Sequence, residues 1–175
     1  MDTAVPDTTI SSGPTGATGD ATPTFSFTSS EPGASFECKV DTAAYAGCVS
    51  PFTTSALQDG SHVLAVRAKD AAANVDATPA TRAWIVDATT PDTTVTKKPA
   101  RRSTKKKVKL VFGSSEAGAT FECALDGGAF TACTSPLKLK VKVGKHTVLV
   151  RAVDAVGNID ATPARVRFRR VAPRA

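Results

Sequence analysis

The 175-residue sequence contains few of the side chains on which enzyme active sites depend. It has only two histidines, and it lacks the nucleophile-elbow, phosphate-binding-loop and zinc-protease motifs. His62 and His146 each stand alone in their half of the chain, so neither has an evident catalytic partner. They also occupy equivalent positions of a repeat. We therefore interpret both as structural residues and predict a non-enzymatic protein without a cofactor.

Long hydrophobic runs and extended helical periodicity are also absent. No apolar stretch is long enough for a membrane-spanning helix, and the polar residues after Met1 do not form an export signal. Aromatic residues make up only 6% of the chain, which leaves few rings on which nucleic-acid bases could stack. These absences argue against a membrane-spanning protein and against nucleic acid as the partner.

The chain does contain an internal repeat. Residues 36–48, FECKVDTAAYAGC, return at 121–133 as FECALDGGAFTAC, a spacing of 85 residues. Residues 66–80, VRAKDAAANVDATPA, return at 150–164 as VRAVDAVGNIDATPA. Self-similarity at a fixed period indicates copies of one structural unit. We therefore predict two domains, residues 1–88 and residues 89–175.

All four cysteines lie in the repeated segment, with Cys38 and Cys48 in the first copy and Cys123 and Cys133 in the second. One pair in each copy predicts one disulfide in each domain. Zinc and free thiols remain alternatives, although the spacing is unusual for zinc and one histidine per copy leaves a ligand missing. Disulfides indicate an oxidising compartment, so we expect an extracellular or cell-surface protein. The chain is then either a part of a longer exported protein or leaves the cell by another route.

Short runs of alternating apolar and polar residues predict β-strands in both repeats. Seven such strands in a domain of this size indicate a two-sheet sandwich, so the predicted fold is all-β with two tandem sandwiches. The glycine-rich segment 11–20 and the start of the basic segment 97–109 are interpreted as solvated loops. The predicted strands are 7–11, 22–29, 34–41, 44–49, 51–56, 61–70 and 81–87, followed by 92–97, 106–114, 119–126, 129–133, 136–142, 145–154 and 164–170.

Several repeated motifs resemble a known family. PDTT, SSEAGATFEC and GKHTVLVRAVDAVGNID are similar to the Ig-like, fibronectin type III-like repeats of bacterial secreted and cell-surface proteins. The resemblance implies sandwiches that serve as spacers, adhesins or ligand-binding modules. It also implies that Leu57 with His62, and Val141 with His146, occupy the places where a leucine and a tyrosine brace a strand corner.

The two repeats differ strongly in charge. Residues 1–90 contain 4 Lys and Arg against 10 Asp and Glu, a net charge of −6. Residues 91–175 contain 18 against 6, a net charge of +12, and the two halves together give the overall +6. The same scaffold is therefore acidic in its first copy and strongly basic in its second.

Many of these cations fall at outward positions of predicted strands. Like charges side by side destabilise a sheet, which suggests an anionic partner such as a cell-wall or surface polymer. A solvated face that protects against aggregation is one alternative. Head-to-tail association with the acidic repeat of another chain is a second alternative. The predicted anion-binding residues are Lys105, Lys107, Lys109, Lys138, Lys140, Lys142, Arg165, Arg167 and Arg169.

Acidic loops and one ion pair occur in both repeats. Calcium is bound by oxygen-rich loops, but Asp and Asn also stabilise tight turns, and we favour turns over a metal site. Glu37 and Glu122 are expected to form exposed cross-strand pairs with Arg67 and Arg151. The alternative calcium ligands are Asp70, Asn74, Asp76, Asp154, Asn158 and Asp160.

Together these observations predict a non-enzymatic extracellular structural or adhesion module whose second domain contacts an anionic surface. A decoration or fibre module of a virion or filament is one alternative. A carbohydrate-binding module is another, and it requires an exposed aromatic platform. Trp84 is expected to point inward, which argues against that platform.

Overall fold

The structure is a computed structural model that describes residues 2–173. The chain divides into two compact units, Met1–Ala88 and Thr89–Ala175, and each is described separately. Both units are built from strands and turns, and residues 2–173 contain no helix that is long and apolar enough to cross a bilayer.

Each unit contains eight strands within the described residues. Those of unit 1 are β1 (Thr8–Ser12), β2 (Ala17–Thr18), β3 (Thr24–Ser29), β4 (Ser35–Val40), β5 (Ala46–Cys48), β6 (Phe52–Thr53), β7 (Gly60–Lys69) and β8 (Ala80–Val86). Those of unit 2 are β9 (Thr93–Lys97), β10 (Arg102–Ser103), β11 (Lys107–Ser114), β12 (Thr120–Leu125), β13 (Thr131–Cys133), β14 (Leu137–Lys140), β15 (Gly144–Val153) and β16 (Ala164–Arg170).

The two units share one topology, a sandwich of a three-stranded and a five-stranded sheet. In unit 1 the sheet orders are β1-β3-β6 and β2-β8-β7-β4-β5, and in unit 2 they are β14-β11-β9 and β10-β16-β15-β12-β13. Alternate residues of each strand point into the core, as the period-two pattern predicts. Phe25 and Leu64 are fully buried in unit 1, as are Leu110, Val148 and Val150 in unit 2. The predicted all-β fold is confirmed.

The predicted loops, residues 11–20 and the first half of the basic segment 97–109, are wrong in one respect, because each contains a short strand. Strand β2 pairs in parallel with β8, and β10 pairs in parallel with β16. The Arg169 amide donates to the Arg101 carbonyl at 2.9 Å, and the Val171 amide donates to the Ser103 carbonyl at 2.9 Å. A two-residue strand held by backbone bonds leaves no alternating pattern in the sequence, which is why it was missed.

A buried threonine connects the two sheets of each unit. In unit 1 the Thr8 hydroxyl donates to Asp76 Oδ2 at 2.6 Å and accepts from the Ala68 amide at 2.8 Å. In unit 2 the amide of Thr93 donates to Asp160 Oδ2 at 3.1 Å. Burial favours the neutral carboxyl, but these hydrogen bonds outweigh it and lower the pKa of Asp76 and of Asp160. The first strand of each unit is therefore held to the opposite sheet.

Both predicted disulfides are present. Cys38 bonds to Cys48 between β4 and β5, and Cys123 bonds to Cys133 between β12 and β13. All four cysteines are thus bonded, which excludes the zinc and free-thiol alternatives. Cys38 and Cys123 are buried at the edge of the core, so each disulfide connects an outer hairpin to the packed interior.

Removing the first disulfide should destabilise unit 1. The bond closes a loop with a sequence separation of 10, so Cys38→Ala with Cys48→Ala should lower the free energy of unfolding by about 2–3 kcal/mol. Urea unfolding followed by Trp84 fluorescence reports on this unit, because the only tryptophan of the chain is 2% exposed in its core. Val49→Ala, at a neighbouring position that is 75% exposed, is the control. Equal stability of the double variant would contradict the prediction.

Candidate anion-binding surface

Two pairs of lysines face each other across β11 and β14. Lys107 lies opposite Lys140, and Lys109 lies opposite Lys138. All four side chains are exposed, whereas Leu110, which alternates with them on β11, is fully buried. Directly opposed side chains of antiparallel strands lie about 5 Å apart at Cβ. The structure therefore brings these predicted lysines together as cross-strand pairs of like charge.

Lys105 and Lys142 extend these pairs beyond the ends of the strands. Both side chains are exposed. The Val141 amide donates to the Lys106 carbonyl at 3.0 Å, which continues the strand pairing by one step. The lysine face, defined as residues Lys105, Lys107, Lys109, Lys138, Lys140 and Lys142, thus lies along one pair of strands.

Unit 1 has no lysine at the corresponding pair. Thr24 of β3 lies opposite Thr53 of β6, in the places of Lys109 and Lys138, and the two hydroxyl oxygens are 2.8 Å apart. A hydrogen-bonded neutral pair is thus replaced by two positive charges on the same scaffold. The fold itself does not require lysine at these positions.

The three predicted arginines line one side of β16. Arg165, Arg167 and Arg169 are exposed, and the residues between them, Val166 and Phe168, are buried. Strand β16 belongs to the five-stranded sheet, whereas the lysine face belongs to the three-stranded sheet. Unit 2 therefore has basic residues on both of its sheets.

Three further cations near these arginines were missed by sequence reasoning. Arg101 and Arg102 lie at strand β10, and Lys145 lies on β15; all three are exposed. Arg102 pairs with Arg169 across β10 and β16, and Lys145 pairs with Arg169 across β15 and β16. A comparison of charge at equivalent positions of the two repeats could have identified them.

Arg151 does not contribute free charge to this surface. It lies opposite Glu122, and its Nε donates to Glu122 Oε2 at 2.7 Å, while its guanidinium stacks 4.0 Å from the centre of the Phe130 ring. Arg67 and Glu37 make the same 2.7 Å contact in unit 1. Both predicted cross-strand ion pairs are therefore present. Because the same pair occurs in both units, it belongs to the shared scaffold and not to the basic surface of unit 2.

The acidic loops are organised as turns. Asp70 accepts hydrogen bonds from the amide and side chain of Asn74 at 2.7 and 2.8 Å. Asp154 accepts from the amide of Asn158 at 2.8 Å and from its side chain at 2.7 Å. Such bonds are the usual role of Asp and Asn in tight turns. They account for these residues without a metal ion.

The alternative calcium ligands do not all converge. Asp76 and Asp160 each use one carboxylate oxygen to bond the first strand of their unit. The other oxygen accepts from the threonine two residues on, Thr78 or Thr162. A different arrangement occurs in unit 1, where Asp2, Glu31 and Asp70 each place a carboxylate oxygen within 4.8 Å of the others. Turns remain the favoured interpretation of these loops, and calcium binding remains the untested alternative.

Each unit has one histidine that braces a strand corner. His62 Nδ1 is 2.7 Å from Asp41 Oδ2, and its Nε2 is 2.8 Å from the Gln58 carbonyl oxygen. His146 makes the same two contacts, with Asp126 at 2.7 Å and the Lys142 carbonyl at 2.8 Å. Both partners of each ring accept hydrogen bonds, so both ring nitrogens must donate, and the charged imidazolium satisfies this arrangement.

These contacts change the pKa of all four groups. Hydrogen bonds to Asp41 and to the Gln58 carbonyl raise the pKa of His62, and those to the Lys142 carbonyl and Asp126 raise the pKa of His146. Burial opposes the shift of each carboxylate, but the hydrogen bonds from the histidines and from neighbouring amides lower the pKa of Asp41 and Asp126. Each histidine thus joins an aspartate and a backbone carbonyl of its own unit, which is the structural role predicted for both.

Trp84 points into the core, as predicted. It is 2% exposed and lies 4.8 Å from the Phe25 ring, measured between centroids. Tyr45 is half-buried, and the Arg67 guanidinium lies 4.0 Å from the centre of its ring. Neither residue provides the exposed aromatic platform on which sugar rings stack. The condition set for the carbohydrate-binding alternative, an exposed Trp84 beside Tyr45, is therefore not met.

Comparison with known proteins identifies the architecture. No protein-family model matches the chain, and no curated protein sequence matches it. Among solved structures, it is similar to the fibronectin(III)-like modules of CbhA from Clostridium thermocellum, with 18% identity, a TM-score of 0.57 and 94% of each chain covered. The fold is fibronectin type III-like. The resemblance inferred from the sequence motifs is confirmed at this level.

Two adhesins are also similar, at lower scores. A Ca²⁺-stabilised adhesin of an Antarctic bacterium that binds ice has 16% identity and a TM-score of 0.45, and the match covers 97% of this chain and 49% of the adhesin. A tetra-tandem repeat from the extending region of a large adhesion protein has 18% identity and a TM-score of 0.36, and covers 94% of this chain and 49% of that one.

The stability of unit 1 should decrease at alkaline pH. The raised pKa of His62 gives a contribution that is fully present below the unfolded value of about 6.5. That contribution is lost as the pH rises through the folded value. Trp84 fluorescence should report a free energy of unfolding that falls as the pH rises from about 6.5 through the raised pKa of His62. His62→Gln should flatten this slope, whereas Ser61→Ala at the exposed neighbouring position should retain it. An unchanged slope in His62→Gln would disprove the assignment.

Replacing one lysine pair should stabilise unit 2. Lys109→Thr with Lys138→Thr removes two opposed charges and introduces the pair found in unit 1, so stability should rise by about 0.2–1 kcal/mol at low salt. The gain should shrink as salt screens the repulsion. Amide hydrogen exchange along β11 measures the change. Lys97→Thr is the control, because Lys97 lies opposite Val111 rather than another cation; a gain as large in this control would contradict the argument.

Proposed function

We propose that the chain is a non-enzymatic extracellular adhesion or spacer module whose second unit binds an anionic cell-wall or surface polymer. The observation that carries the proposal is that Lys109 and Lys138 face each other in unit 2 at the positions where Thr24 and Thr53 face each other in unit 1. Opposed lysines repel each other, and a bound polyanion would remove that repulsion. A row of cations along two strands suits an extended partner with repeated negative charge.

Protection of a sheet edge against aggregation is the alternative to a binding role for the lysine face. Lysine protects a sheet when it lies on an edge strand, where unpaired backbone groups are exposed. Strand β11 is the central strand of its sheet, with β14 on one side and β9 on the other. Strand β9 pairs with β11 only at residues 111–114, however, whereas Lys107 and Lys109 lie on the stretch that pairs with β14 alone. The register therefore leaves edge protection as an alternative, and the salt dependence of polymer binding distinguishes it from a binding role.

The disulfides support an extracellular location. Both units carry one bond between neighbouring strands. Such bonds form and persist in oxidising compartments and are rare in the cytosol of most organisms. A module outside the cell also encounters the anionic polymers that the basic unit would bind.

Association between chains is the second candidate function. Residues 1–90 carry a net charge of −6 and residues 91–175 a net charge of +12. The acidic unit of one chain could therefore bind the basic unit of another, which would give head-to-tail assemblies. Analytical ultracentrifugation at low salt separates this candidate from polymer binding, because association would be seen without any polymer present.

Binding of the full chain to anionic polymers tests the proposal. A glycerol-phosphate wall polymer and heparin should bind with an affinity that falls steeply with salt, because binding releases counterions. Replacing all six lysines of the lysine face with threonine should weaken binding and reduce the slope of log affinity against log salt by up to about 0.7 per contacting lysine. Fluorescence anisotropy of labelled polymer measures both quantities.

The lysines of unit 1 supply the matched control. Lys39→Thr with Lys69→Thr removes two cations from the acidic unit and should leave the affinity and the salt slope unchanged. Affinity that does not depend on salt, or that is unchanged by loss of the lysine face, would end the polymer-binding proposal.

A further inference from the structure

We propose that unit 2 contains a discrete cleft that binds the phosphate or sulfate ester groups of an anionic polymer. The inference rests on the proposed function and assigns a chemical class of ligand and a second site to it. The cleft has a volume of about 470 Å³ and lies where β10, β16 and β15 run side by side. Its lining residues are Arg101, Arg102, Lys145, His146, Thr147, Arg167, Phe168 and Arg169.

Three neighbouring strands place three cations in one row across the cleft. Arg102 of β10 lies opposite Arg169 of β16, and Arg169 lies opposite Lys145 of β15. Neighbouring strands are roughly 4.8 Å apart, so the three side chains start close together. All three are exposed. Their terminal groups can therefore reach one small anion at the same time.

The rest of the cleft adds positive charge and a floor of buried rings. Arg101 and Arg167 are exposed on either side, and buried Phe168 and His146 lie beneath. The charge of His146 is compensated by Asp126, whose carboxylate lies 2.7 Å from its Nδ1. Among the described residues that line the cleft, none is acidic. The five exposed cations thus face the opening without a carboxylate among them.

The donor chemistry favours a tetrahedral oxyanion over a carboxylate. Arginine presents N–H groups in a rigid fork that matches phosphate and carboxylate oxygens alike. A carboxylate offers two oxygens in one plane with its carbon. A sulfate ester or phosphate monoester offers three terminal oxygens, and a phosphodiester two terminal and two bridging oxygens, around a tetrahedral centre. Arginines that approach from β10 and β16 can therefore donate to one ester group from several sides.

The cleft continues towards the lysine face, which favours an ester carried on a polymer. A depression of about 220 Å³ shares Arg101 and Arg167 with the cleft and adds Lys98 and Arg165. A third depression, of about 330 Å³, shares Lys98 and reaches Lys105, Lys107 and Lys109. The segment before β11 therefore joins the two basic surfaces. An extended chain of ester groups could occupy both at once.

Unit 1 has the same framework without the charge. Strand β2 pairs with β8 as β10 pairs with β16, and β7 pairs with β8 as β15 pairs with β16. The five cations are a feature of unit 2 alone and are not needed for folding. The equivalent positions in unit 1 hold Gly16, Ala17, Ser61, Ala83 and Ile85.

An exchange of residues between the units tests the cleft in the full chain. The probes are inorganic pyrophosphate and a sulfated disaccharide, with binding followed by NMR chemical shifts of backbone amides. Both should shift the amides of Arg102, Lys145 and Arg169, and the exchange variant should lose about tenfold or more in affinity. The variant carries Arg101→Gly, Arg102→Ala, Lys145→Ser, Arg167→Ala and Arg169→Ile.

The reciprocal variant tests whether these residues are sufficient. Its five positions in unit 1 are exposed, Ile85 by 48%, and no atom lies within 4 Å of a Cβ built at Gly16. The variant should acquire pyrophosphate-induced shifts in β7 and β8 that the parent lacks. Trp84 fluorescence confirms that unit 1 remains folded. The changes are Gly16→Arg, Ala17→Arg, Ser61→Lys, Ala83→Arg and Ile85→Arg.

The outcomes separate this inference from the proposed function. Tighter binding of pyrophosphate assigns a phosphate polymer, and tighter binding of the sulfated disaccharide assigns a sulfated one. Equal binding of a galacturonate dimer, or probe binding that survives the exchange, overturns the ester cleft. If long polymers bind through the lysine face while neither probe changes the amide chemical shifts of the cleft, the cleft is disproved and the proposed function stands.

Duplex DNA tests the assigned class of partner. Tighter binding of DNA than of a surface polymer of equal charge, lost in the exchange variant, overturns that class.

Discussion

Burial of one side of each strand is the constraint on which the structure depends. Side chains alternate across a strand, so every second residue is committed to the core and the others are free to vary. Phe25 and Leu64 fill the interior of unit 1, and Leu110 and Val148 fill that of unit 2. Both interiors are apolar, whereas equivalent outer positions hold threonine in unit 1 and lysine in unit 2 at the same register. The two units of this protein therefore differ at the surface and share one topology.

The sequence predicted those parts of the molecule that follow a local rule. The lysine pairs could be predicted because Lys107 and Lys109 alternate with apolar residues, and the disulfides because each repeat has one pair of cysteines. The strand at Arg102–Ser103 could not, because its pairing partner lies far along the chain and two residues show no period. Missing that strand also meant missing how Arg101 and Arg102 approach Arg169.

Because the two units have equivalent positions, cations that belong to the scaffold can be distinguished from cations that occur in unit 2 alone. Paired cations such as Arg67 and Arg151 occur in both units, each with its glutamate, and so belong to the scaffold. Cations that occur in unit 2 alone, such as Lys109 and Lys145, have neutral counterparts at Thr24 and Ser61. Repulsion among them lowers stability, which selection for folding alone would not favour. This difference, rather than the overall net charge, points to a role in binding.

The buried threonines have a mechanical consequence for a protein that would hold a cell to a surface. Tension on the chain enters unit 1 through β1, where Thr8 bonds to Asp76 and to the Ala68 amide of the opposite sheet. Asp76 is 2% exposed, so water cannot easily replace these bonds while the unit is intact. We therefore expect a pull on β1 to break contacts with both sheets of unit 1 before this strand detaches.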